Sequence, residues 1–178
     1  MPVDLTDAKP LAAGIYVVGD QVLTTDLRDF LRRVRARLAF DIAVTSGVRT
    51  AASQARALRT KLDGYPTVEA GIQALHDLYK RDDLIDELVA NGLDQATMEN
   101  TIKAQVLRGQ LLSSHLSARA LDLRIRGYTP DELAALDAAC RAEGGRTVRE
   151  TVPPHLHVEV GATDRKPTTT SRTVSGPR

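Results

Sequence analysis

Apolar side chains recur with a helical period early in the chain. Leu23, Leu27, Phe30, Leu31, Val34 and Leu38 fall on one stripe between about Asp20 and Phe40, and Arg28, Arg32, Arg33, Arg35 and Arg37 occupy the other faces. Two short β-rich runs flank this helix, Ile15-Tyr16-Val17-Val18 and Ile42-Ala43-Val44-Thr45, and each predicts a strand. Residues 1–13 read as an extended lead-in. After Thr45 the turn Ser46-Gly47-Val48-Arg49-Thr50 opens a second helix, from about Ala51 to Leu62, which Asp63-Gly64-Tyr65-Pro66 breaks.

Residues 67–112 keep the helical period almost throughout. Val68, Ile72, Leu75 and Tyr79 form one stripe, and Leu84, Ile85, Leu88 and Val89 form another. Asn91-Gly92 is a stop signal, and Asp94 is an N-cap for a helix carrying Met98, Ile102, Val106 and Leu107. His76, at the edge of the first stripe, reads as an ordinary helix histidine.

Beyond this block the period changes to two. Leu121, Leu123 and Ile125 alternate with Asp122, Arg124 and Arg126, the pattern of a half-buried strand over 120–126. Thr129-Pro130-Asp131-Glu132 is a helix start with an N-cap, a first-turn proline and a capping-box glutamate. That helix carries Leu133, Leu136 and Cys140 and stops at Gly144-Gly145. Two strands are expected last, 146–152 and 155–160, separated by Pro153-Pro154. The expected fold class is α+β: a small antiparallel sheet packed with helices, with a helical insertion at about 67–112. Residues 1–161 read as one domain. The Thr/Ser/Arg-rich tail 162–178 is expected to be disordered unless a partner holds it.

Composition narrows the function classes. The 178 residues suffice for one full core, and 42% hydrophobic content indicates a globular chain. Aromatic residues make up 3% and Trp is absent, so the core must be aliphatic. A net charge of +1 argues against a field that attracts nucleic acid, and the arginines of the first helix, with no interleaved aromatics, read as a solvated face. The single cysteine, Cys140, permits no intrachain disulfide and reads as a small buried hydrophobe. No signal segment is visible at the N-terminus and no stretch is apolar for long enough to span a bilayer. The expected origin is the cytoplasm, with action elsewhere requiring release or delivery.

Three of the four histidines fall in two short stretches, Ser113–Leu123 and His155–Val160. On a strand, His155, His157 and Glu159 leave one face while Leu156, Val158 and Val160 leave the other. Asp122 is likewise opposite Leu121 and Leu123. If the two strands are antiparallel neighbours, Asp122, His155 and His157 share a polar face, over which His115 can fold. Zinc suits such a set, because two imidazoles and a carboxylate leave one tetrahedral position open for water. Glu159 is expected to pair with Arg124.

Ser113-x-His115-x-x-Ala118-x-Ala120-x-Asp122 followed by His155-x-His157 resembles the zinc D-Ala-D-Ala peptidases of the hedgehog/DD-peptidase fold. Ser46-Gly47-Val48-Arg49-Thr50, with Gln54 in the next helix, resembles the same family's Ser-Gly-Tyr-Arg turn, and the motifs occur in family order. The resemblance implies one zinc ion per chain held by His115, Asp122 and His157. It implies His155 as the catalytic histidine, and Arg49 and Ser113 as substrate-binding and site-shaping residues. The implied activity is hydrolysis of peptidoglycan stem-peptide bonds involving D-amino acids. Two positions depart from the pattern: Ala118 stands where the family has Gly, and Pro154 stands where acid-x-x-His members carry a catalytic carboxylate, which leaves the proton work to His155. The alternative expectation is a non-catalytic component of a phage tail or contractile injection assembly, docked through the insertion 67–112 or the tail 162–178.

Overall fold

The computed structural model describes residues 4–161; the tail, and the expectations attached to it, lie outside the described residues. The strands are β1 (Ala8–Ala12), β2 (Ile15–Val18), β3 (Ile42–Ser46), β4 (Ala120–Arg124), β5 (Gly145–Thr151) and β6 (Pro154–Val160). The helices are α1 (Thr25–Ala36), α2 (Ala51–Asp63), α3 (Val68–Tyr79), α4 (Asp82–Asn91), α5 (Gln95–Leu107) and α6 (Pro130–Ala142). A 3₁₀ turn, Ser114–Ser117, precedes β4.

All six strands form one sheet in the order β1-β2-β3-β4-β6-β5. The fold class is therefore mixed α and β, but the sheet is larger than expected and is not purely antiparallel. The β2–β3 pair is parallel, because α1 supplies the crossover that parallel neighbours need. Part of the lead-in, Ala8–Ala12, pairs with β2 as the edge strand. The first helix begins at Thr25 rather than near Asp20, because the Thr24 side chain caps it by accepting from the Leu27 amide. Val22 is instead bridged to Val48.

Two apolar clusters fill the interior. The first joins Leu27, Phe30, Leu31 and Val34 of α1 and Leu136, Ala139 and Cys140 of α6 to sheet residues such as Val44, Leu121, Leu123, Leu156 and Val158. Each fully buried aliphatic side chain there contributes roughly 1.5–3 kcal/mol relative to exposure. The second consists of α2 to α5 and includes Leu58, Leu84, Ile85, Leu88, Met98 and Ile102. The segment 67–112 is thus three helices that close over α2, and not one continuous rod. The break between α4 and α5 falls where expected, with Gly92 following α4 at φ +123° and Asp94 capping α5 by accepting from the Thr97 amide, whereas the break between α3 and α4, at Lys80, had no sequence signal. The capping box at Thr129 and Glu132 is also present. Cys140 is fully buried, and burial pushes its thiol up to about 12.

Candidate metal centre

The centre is built by β4, β6 and the turn before β4. In the β4–β6 register Asp122 lies opposite His157 and Arg124 opposite His155, so Asp122, His155 and His157 do share a face. Leu121, Leu123, Leu156 and Val158 enter the first apolar cluster from the other face. His115, 1% exposed, sits in the 3₁₀ turn and is tied down twice to the loop after β3. Its Nδ1 donates to the Gly47 carbonyl at 2.7 Å, and the Arg49 amide donates to the His115 carbonyl at 3.1 Å. Gly47 is required there because a Cβ would stand 2.3 Å from the Val22 carbonyl oxygen.

Three donor atoms converge. His115 Nε2 is 3.1 Å from Asp122 Oδ1, His157 Nδ1 is 2.9 Å from the same oxygen, and the two ring nitrogens are 3.2 Å apart. The edges of a zinc tetrahedron with bonds near 2.05 Å are about 3.3 Å, so the triangle is nearly the right size for a small divalent ion. The donor chemistry agrees. A carbonyl only accepts, so the proton of neutral His115 is on Nδ1 and a lone pair on Nε2 faces the Asp122 carboxylate. Burial lowers the His115 pKa despite the nearby Asp122 charge, which keeps the ring neutral. Burial would raise the Asp122 carboxyl, but the imidazoles of His115 and His157 beside it outweigh burial and hold it well below its usual range. His115, Asp122 and His157 could hold a metal ion, and so could Glu150, His155 and His157.

His155 is placed differently. Its Nδ1 donates to the Pro153 carbonyl at 2.7 Å, and its Nε2 faces Glu150 Oε2 at 3.2 Å and Asp122 Oδ1 at 3.4 Å. Burial lowers its pKa, but the Glu150 hydrogen bond and the Asp122 and Glu150 charges outweigh burial and raise it. Carboxylates only accept, so the geometry sets an N–H at Nε2 facing the two of them.

Arg49 and Ser113 also line the cleft. The Arg49 guanidinium is already bonded within the protein, to Ser46 Oγ at 2.9 Å, Gln54 Oε1 at 3.3 Å and Asp122 Oδ2 at 2.8 Å. These bonds brace the Asp122 carboxylate and leave one N–H on each terminal nitrogen of Arg49. Ser113 Oγ accepts from the His115 amide at 3.3 Å and so shapes the turn that carries the histidine. The expected Glu159–Arg124 pair does not form, because the register sets Glu159 opposite Ala120. Arg124 turns to Asp7 at 2.8 Å, while Glu159 accepts from Ser114 Oγ at 2.6 Å and pairs with Arg146 at 3.3 Å. His76 lies apart from the centre, bonded to Asp82 at 2.8 Å.

Ala118 ends the 3₁₀ turn at φ +57°, the left-handed conformation that glycine adopts freely. The insertion walls the cleft through Leu78 and Tyr79 of α3. Two cleft residues went unrecognised in the sequence, Glu150 and Lys61. Glu150 lies opposite His155 in the β5–β6 hairpin, and its carboxylate bonds the Lys61 ammonium. Burial would raise the Glu150 carboxyl, but His155 and Lys61 outweigh it and hold it at about 2. The signal for Glu150 was the tight Val152-Pro153 turn, which pairs residues 150 and 155 once both strands are accepted.

The chain matches no family model, no curated protein and no solved structure. Among the described residues no helix is long and apolar enough to cross a membrane.

Proposed function

We propose that the protein is a zinc-dependent peptidase acting on peptidoglycan stem peptides at bonds involving D-amino acids. The observation that supports this most is the triangle of His115 Nε2, Asp122 Oδ1 and His157 Nδ1 beside His155 in an open cleft. The motif order of the sequence supports the choice of zinc and of a wall peptide. Zinc held by these three residues would supply Lewis acidity, polarising a carbonyl and bringing the pKa of water to roughly 7.

The chain's own groups then have distinct tasks. Gly47 and Arg49 orient the two ligands His115 and Asp122 through their other polar atoms. His155 holds a proton at Nε2 and delivers it to the leaving amine nitrogen as the carbon–nitrogen bond breaks. The remaining N–H groups of Arg49 offer a substrate carboxylate or carbonyl a directed donor. Leu78 and Tyr79 limit how wide a peptide the cleft admits.

The test is digestion of purified peptidoglycan and of defined D-Ala-ending stem peptides, with and without a chelator, read by mass spectrometry beside a zinc assay. We expect one zinc per chain and chelator-sensitive cleavage. His157→Ala should lose both metal and hydrolysis, and His155→Ala should keep metal and lose rate. Absence of cleavage by a sample that holds one zinc per chain would overturn the reading.

A further inference from the structure

Glu150 and Lys61 take no part in the ligand triangle, yet they are fitted closely around His155. Lys61 lies on α2 and is 7% exposed, a burial that lysine seldom tolerates without partners. Its ammonium bonds the Glu150 carboxylate and also donates to the Val152 carbonyl at 3.1 Å. Glu150 Oε2, the same oxygen, faces His155 Nε2 at 3.2 Å. The other ring nitrogen of His155 donates to the carbonyl of Pro153, the residue that follows Val152. Both ring nitrogens therefore face atoms whose positions Lys61 helps to fix, one through Glu150 and one through the hairpin turn at Val152. A side chain such as Met would fill the same space beneath the hairpin without the desolvation cost of an ammonium. The polar pair does what an apolar one would not: Glu150 gives the ring a directed contact at Nε2, and Lys61 holds both Glu150 and the turn whose Pro153 carbonyl takes Nδ1.

We propose that Lys61 and Glu150 are positioning residues, whose buried ion pair holds the His155 imidazole in its working orientation beside the metal centre. This rests on the peptidase reading for its catalytic consequence, but not for its structural one. The pair also ties α2, and with it the helical block α2–α5, to the hairpin that carries His155 and His157.

The experiment uses the full chain with Glu150→Gln, Lys61→Met, Lys61→Arg and the Glu150→Gln/Lys61→Met double variant. It reads kcat and KM on a stem peptide, the zinc Kd by chelator competition, and the His155 ring resonances by NMR. Glu150→Gln should lower kcat about tenfold to a hundredfold, with KM and zinc Kd within about threefold. Its His155 ring signals should broaden or split while those of His115 stay in place. Lys61→Met should repeat this pattern, Lys61→Arg should recover much of the rate, and the double variant should be no slower than the worse single one. Unchanged His155 ring signals in both Glu150→Gln and Lys61→Met, or losses that multiply in the double variant, would overturn the proposal. If Lys61→Met does not fold, the near-isosteric Glu150→Gln carries the test. If the wild type cleaves no peptide, the peptidase reading falls, and the ring spectra alone decide whether the pair positions His155.

Discussion

Asp122 and His155 on one face of β4 and β6 are buried nearly as deeply as the aliphatic residues on the other, and the two sets are held by opposite physics. On one face Leu121 and Leu123 are 0% exposed and Val158 is 0% exposed; on the other Asp122 is 3% and His155 is 7% exposed. The apolar face gains from removing surface from water, without regard to direction. The polar face must give each buried atom a partner at a set distance and angle, or carry the cost of an orphaned group. Its answer is a chain of contacts from Gly47 through His115 to Asp122 and Arg49, and from Pro153 through His155 to Glu150 and Lys61. Burial alone therefore does not separate core from site in this sheet. What separates them is whether the buried side chain needs a named partner.

Substitutions on the two faces should separate along that line. Asp122→Ala carries the largest expected effect, because it takes a ligand from the metal and a counter-charge from Arg49, whose side chain is 15% exposed. We expect zinc affinity to fall by more than about a hundredfold and the metal-free fold to lose about 3–5 kcal/mol, measured by chelator competition and urea unfolding. Leu123→Ala, directly adjacent on the opposite face, should cost about 2–5 kcal/mol with zinc affinity unchanged. A large loss of zinc affinity in Leu123→Ala would show that the two faces do not act separately.

Acid should also distinguish the faces. In the metal-free protein the Glu150 carboxyl is held at about 2, against an ordinary value of about 4.3 in the unfolded chain. The unfolded chain then takes up the proton first. The contribution is present above about pH 4 and is lost as the pH falls towards 2. Urea unfolding at a series of pH values should show a shallower acid loss in Glu150→Gln than in wild type, whereas Leu123→Ala should lower the whole profile without changing its slope. The smallest expected effect lies at the edge of the site. Ala118→Gly relieves the left-handed backbone at φ +57°, so its thermal midpoint should rise by the equivalent of about 0.5–1 kcal/mol, with zinc affinity kept.

Local signals were legible where neighbours along the chain decide the outcome. Thr129 and Glu132 form their capping box, Asp94 caps its helix, Gly92 ends α4, and the alternation around Asp122 and around His157 sets their faces. These are interactions over a few residues, and side-chain type carries them. The shared face of Asp122, His155 and His157 was inferable from strand phasing, given the single assumption that β4 and β6 pair, whereas the choice of His115, Asp122 and His157 as a ligand set came from the motif resemblance. The parallel β2–β3 pair was not, since period-two patterning does not state which way a neighbouring strand runs. Nor was the partner of Arg124, because one register places it opposite His155 and frees it to reach Asp7, a contact spanning 117 residues.

What the sequence determined by itself is the elements other than β1, several of their caps and faces, and the histidines and the aspartate able to hold a metal. Those follow from backbone propensity and from the alternation of apolar and polar side chains, which act locally. Only the tertiary structure decided that Arg49 braces Asp122, that Lys61 reaches from α2 to Glu150, and that Glu150 stands beside His155. Each of these depends on desolvation bringing distant charges together, and a charge at close range in a buried site finds its partner by geometry rather than by position along the chain.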